Sequence, residues 1–185
     1  MKKKLRSLTI LVTALLFTAP LLRAQTSTGT TTLSVTVAAE AALTINTGTT
    51  NLTSTGTNFS TYTGTTNLTY FLRTKQSTGT GSIVLQVTGD FSPAGGPSVG
   101  TPPTAGDKLN YSCSVNSPGN NGAATNCANP TTAATSGQTS VATFGADNRS
   151  AIGGNTGTVT WSLTNDPKYQ TGSYSATVTF TISAN

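Results

Sequence analysis

Catalysis needs side chains that move protons, attack electrophiles or hold metals, and this 185-residue chain has few of them. It has no histidine, so the usual general base for a serine or cysteine nucleophile is missing. Its five carboxylates, Glu40, Asp90, Asp107, Asp147 and Asp166, stand singly. Glycoside hydrolysis would need a facing pair, and four of the five sit in turn contexts. Asp90 follows Gly89, Asp107 follows Gly106, Asp147 precedes Asn148 and Asp166 precedes Pro167. Acidic side chains at such places hydrogen-bond their own backbone and shape turns. Asp90 and Asp107 flank one loop, which leaves a calcium site open as a question. Calcium takes six to eight oxygens, and no D-x-D-x-D cluster is present. The expectation is a protein with no catalytic residues, no cofactor and no metal, and not an enzyme.

The remaining chemistry is that of Cys113 and Cys127. With no histidine and no further cysteine, a tetrahedral metal set cannot be completed. In an exported chain two cysteines read as a disulfide. It would close a loop of fifteen residues, 113 to 127 inclusive, and stabilise by about 3 kcal/mol in the chain-entropy account.

Export is what the N-terminus suggests. Residues 1–6 read Met-Lys-Lys-Lys-Leu-Arg, residues 8–17 are mostly apolar, and residues 18–24 end on Ala24. That charged, apolar, small-residue order is the pattern of a secretory signal peptide. Cleavage after Ala24 is expected, with an uncleaved anchor helix as the alternative. Pro20 breaks the apolar run, which is short for a span of about 20 residues, and no cysteine stands just after Ala24 to carry a lipid.

The formal charge of +5 belongs to this leader. Lys2, Lys3, Lys4, Arg6 and Arg23 are five of the ten basic residues, and the five that remain balance the five acids. A mature chain of zero net charge has no basic patch to neutralise phosphates, so nucleic acid is not an expected partner. Only 8% of residues are charged, about a third of the usual share. Thr, Ser, Asn and Gly supply the polarity instead, as in many extracellular β-proteins, and threonine packs well on a pleated surface.

Removing residues 1–24 from 185 leaves 161, enough for one domain with a sizeable core, 25–185. Leu33, Val35, Val37, Ala39, Ala41, Leu43 and Ile45 fall on every second position, the period of a half-buried strand. The run is long for one strand, so a bend is expected near residues 38–41. Leu68, Tyr70 and Leu72 alternate, as do Ile83, Leu85 and Val87, and the Gly-rich link 76–82 reads as a hairpin turn. Residues 89–107 and the stretch around Cys127 read as loops. Leu109, Tyr111, Cys113 and Val115 form another strand, Val141 and Phe144 a short one, and Val159, Trp161 and Leu163 the next. The last is the most regular: Tyr174, Ala176, Val178, Phe180, Ile182 and Ala184. Seven or eight short strands without sustained helical periodicity predict an all-β, antiparallel, immunoglobulin-like β-sandwich, with a closed β-barrel as the alternative.

The closing segment, Gly172, Tyr174 and the alternating set from Ala176 to Ala184, resembles the final strand of fimbrial-type (pilin-like) subunits and of the spore coat protein U family. The polar lead-in followed by Leu33, Val35 and Val37 is similar to the segment that such subunits insert into a neighbour. Two departures stand out: Ala184 replaces the penultimate aromatic, and the cysteines come late. The resemblance implies a structural protein of the cell surface or extracellular matrix, reached via the periplasm. Its partners would be copies of itself or related subunits, with a periplasmic chaperone, and it would have no membrane span after signal removal. The alternative is a secreted, monomeric carbohydrate- or surface-binding module presenting its loops, or Tyr62, Tyr70 and Tyr169, to a glycan. Trp161 and Phe180, in phase with aliphatic neighbours, read as core.

Overall fold

The computed structural model describes residues 27–54, 56–99 and 108–185. The expected signal peptide and Asp107 lie outside the described residues. The chain divides into two units, Met1–Val35 and Thr36–Asn185. In the first, residues 27–35 carry neither helix nor strand.

Among its described residues the second unit is all-β, with ten strands in two antiparallel sheets and no closed barrel. The strands are β1 (Glu40–Ile45), β2 (Thr53–Ser54), β3 (Tyr62–Arg73), β4 (Gly81–Ser92), β5 (Leu109–Val115), β6 (Ala124–Asn126), β7 (Thr131–Thr132), β8 (Thr139–Phe144), β9 (Asn155–Leu163) and β10 (Ser175–Ala184). Six form one sheet in the order β1-β3-β9-β5-β7, with β2 also on β3; the other sheet runs β10-β4-β8-β6. No helix among the described residues is long and apolar enough to cross a membrane.

Alternation places the core. Leu68, Tyr70 and Leu72 of β3, Val159, Trp161 and Leu163 of β9, and Leu109 and Tyr111 of β5 face Ile83, Leu85 and Val87 of β4 and Val141 of β8, and all are buried. Threonine and serine hold the opposite positions along β9 and β10. The Trp161 indole N–H donates to Thr66 Oγ1 at 2.8 Å, which lets its one polar atom be buried. Tyr70, read from sequence as less clearly inward, is fully buried, with its hydroxyl donating to Asn116 O at 2.6 Å.

Four further expectations are corrected. The link 76–82 does not close a hairpin: β3 and β4 lie in different sheets, and the chain crosses over at residues 74–80. Both strands bury one face, so they gain more by packing across the core than by pairing edge to edge. The alternating run from Leu33 becomes a strand only at Glu40. The Cys127 stretch contains β6 and β7, which with β2 are only two or three residues long and raise the count beyond eight. Tyr174 precedes β10, with its ring against Gly96 and its hydroxyl donating to Gln170 O at 2.8 Å.

Candidate functional site

The two long sides of the sandwich differ in how they are finished. On one side β5 and β8 are joined by several bonds. Cys113 of β5 and Cys127, just after β6, form a disulfide with an S–S distance of 2.05 Å and a Cα–Cα distance of 5.7 Å. The Tyr111 hydroxyl donates to Ser140 O at 2.8 Å and lies 2.7 Å from Thr139 Oγ1, tying one sheet to the other. Burial pushes the Tyr111 phenol pKa up, and the Thr139 hydrogen bond partly offsets this. The Cys127 N–H donates to Val141 O, and Asn126 Oδ1 accepts the Val115 N–H at 2.7 Å. Ala133, whose N–H donates to Leu109 O at 2.9 Å, is fully buried along this side.

On the other side stand β1 and β10, each paired on one edge only among the described residues, β1 with β3 and β10 with β4. They approach one another across the core without pairing. Their inward residues, Leu43 and Ile45 on β1 and Ala176, Val178, Phe180 and Ile182 on β10, pack against the core yet stay partly exposed. Their counterparts on β4, such as Ile83 and Leu85, are wholly covered. Phe180 meets Trp161 edge-on at 6.5 Å, so the open seam reaches the centre of the core. A seam of half-covered apolar side chains between two unpaired strand edges can accept one more strand, through backbone hydrogen bonds and alternate side chains.

Among the described residues that precede β1, the N-terminal candidates are exposed large apolar side chains: Leu33 at 91%, Val35 at 86% and Val37 at 63%. Of the closing set, Ala176 to Ile182 line the seam, whereas Gly172 and Tyr174 belong to the preceding turn. Leu43 and Ile45 were legible as strand residues but not as a wall of this seam.

Asp90 and Asp166 serve as loop and turn anchors. The Asp90 carboxylate accepts from the N–H groups of Phe91 and Val99 and from the Ser98 hydroxyl. Asp166 accepts the Lys168 N–H at 3.0 Å, and Asp147 adopts a left-handed backbone with φ 57°. Among the described residues no three His, Cys, Asp or Glu side chains are grouped to hold a metal ion.

A separate hollow of about 640 Å³ lies on the outer face of the β1–β3 corner. Ala42, Phe71 and the wholly exposed Ile152 give it an apolar floor, and Asn120 and Arg149 stand at its rim. Sequence reading missed it, because Phe71 breaks an outward run of threonines without any periodic signal.

No protein-family model matches the chain, and comparison with the curated proteins and with the solved structures finds no match.

Proposed function

We propose that the protein is an exported, fimbrial-type structural subunit of the cell surface or extracellular matrix. It assembles by donating the strand around Leu33, Val35 and Val37 to the β1–β10 seam of another copy. The observation that carries this reading is the seam: two free strand edges with half-exposed Leu43, Ile45, Val178, Phe180 and Ile182 between them. Exposed apolar residues at alternate positions, 33, 35 and 37, are the complementary feature. Because donor and acceptor are different surfaces, the contact is head-to-tail and builds an open filament. The charged and apolar leader ending at Ala24 supports export, and the absence of net charge after it fits a structural surface protein.

Deletion of residues 25–37 tests the proposal. The shortened protein should lose self-assembly, and a synthetic peptide of residues 31–39 should bind it and raise its unfolding midpoint. A full-length protein that remains monodisperse by light scattering at high concentration would overturn the reading.

The Phe71 hollow favours a second reading, a monomeric module that stacks a glycan ring on Phe71. Phe71→Ala that abolishes retention on a neutral polysaccharide, in a protein that never assembles, would establish it over the first.

A further inference from the structure

We infer that Arg73 is a positioning residue, a clamp that orders the root of the N-terminal segment, residues 36–39, for donation. Its consequence for assembly rests on the strand-donation reading above. Arg73 ends β3 and is the register partner of Glu40, the first residue of β1. Its Nε–H donates to the Ala38 carbonyl at 2.8 Å, and Nη2–H donates to Glu40 Oε2 at 2.7 Å. One planar guanidinium thus holds both the last residues before the strand and the strand's first side chain.

The guanidinium is itself well placed to act as a fixed point. The Arg73 backbone bridges to Arg149 on its far side, and the next residue, Thr74, donates its N–H to Asn148 O at 3.0 Å. Arg149 has its own carboxylate, Asp147 at 3.3 Å, while Glu40 is held by Arg73. Packing does less for this root than the clamp does. Val37, Ala38 and Ala39 border an open hollow of about 380 Å³ shared with Arg73, Lys75 and Asp147. Two of the three bring only a methyl group to it.

An exposed ion pair adds little to folding, and the side chains here are 38% and 73% exposed. The value of this one is geometric. The fork of an arginine binds a carbonyl and a carboxylate together, which the single ammonium of a lysine does not reproduce. Ordering the root before association removes part of the conformational cost of docking the strand, which is how preorganisation strengthens binding.

Glu40 is the only glutamate in the chain, so a glutamate-specific endoproteinase has one preferred bond, Glu40–Ala41. The exported protein should be cut slowly there. Arg73→Lys and Arg73→Ala should both be cut roughly tenfold faster, with the unfolding midpoint unchanged, because the carboxylate and the strand's first residue are released together. Self-assembly of the same variants should slow roughly five- to tenfold. Their seam should remain intact: with residues 25–37 removed, each should bind the 31–39 peptide as the unsubstituted protein does. Equal cleavage of wild type and both variants would overturn the clamp whatever happens to assembly. Faster cleavage with a midpoint lower by several degrees would overturn it too, since β1 as a whole would then have loosened. Faster cleavage with undiminished assembly would remove its role in donation. A wild type that never assembles would instead overturn the donation reading, while the cleavage rates would still decide whether Arg73 holds the root.

Discussion

Along the β5–β8 side of the sandwich, where a disulfide, a tyrosine bridging the two sheets and a buried Ala133 close the edge, the partly buried apolar residues among those described are Cys113, Cys127 and Ala124. Along the β1–β10 side, seven apolar side chains on two strands, each paired on one edge among the described residues, stay partly exposed. Both sides are built from the same alternating sequence, so alternation alone does not decide which is sealed. What differs is which strands lie beside each edge. After β5 the chain supplies β6, β7 and the disulfide to cover the edge, whereas among the described residues no strand pairs with the outer edge of β10. Sealed edges protect a sandwich from pairing with other chains, and an open one invites it.

The comparison predicts unequal sensitivities. Tyr111→Ala, on the sealed side, removes a buried ring and a bond between sheets and should cost about 3–5 kcal/mol. Chemical denaturation would measure it, and a loss near 1 kcal/mol would mean the two sides are alike. Next in size is the disulfide. Replacing both Cys113 and Cys127 by serine should cost about 3 kcal/mol and lower the midpoint of a domain this size by roughly 6–12 °C. Reduction of the native protein should give a similar fall, and an unchanged midpoint would show that the edge is closed by packing alone.

Phe180→Ala, on the open side, should cost less than its size suggests, about 1–2 kcal/mol, because the ring is already partly in water. Its outward neighbour Thr179, bonded to Thr88 Oγ1 at 2.9 Å, should cost within about 1 kcal/mol as Thr179→Ala. The sharper measurement repeats Phe180→Ala with the 31–39 peptide bound. If the peptide covers the seam, the gap between variant and wild type should widen; a gap that stays constant would mean the peptide binds elsewhere.

Much of this contrast was legible in the residues. The inward and outward faces of β10 follow from Val178, Phe180 and Ile182 alternating with threonines, and the disulfide follows from two cysteines and no histidine. The crossover between β3 and β4 was not legible, because a short Gly-rich link serves a hairpin and a change of sheet equally well. Nor was the openness of the seam: periodicity reports which face of a strand is apolar, not whether a neighbour covers its edge. β6 and β7 escaped because two or three residues are too few to carry a period. The Arg73 contacts to Ala38 and Glu40 depend on a pairing more than thirty residues apart in sequence, which local pattern does not reveal.

A change that is small at neutral pH separates sealed core from solvent by titration. Burial pushes the Tyr70 phenol up to about 12 from its ordinary value of 10.0. The folded state therefore holds this proton more tightly than the unfolded chain does. The stability linked to it is fully present below pH 10, declines as the unfolded chain ionises, and is lost as pH rises through the folded value near 12. Tyr70→Phe gives up the hydrogen bond to Asn116 O and should cost about 1 kcal/mol at pH 7. Above pH 10 the variant should lose stability less steeply than wild type, so the two unfolding curves converge and can cross. Tyr111 is also raised, so part of the alkaline slope should survive in the variant and disappear only in the Tyr70→Phe, Tyr111→Phe double substitution. Parallel curves for Tyr70→Phe and wild type from pH 9 to 12 would mean that the Tyr70 hydroxyl is hydrated in the folded protein, and that this end of the core is less sealed than its neighbours.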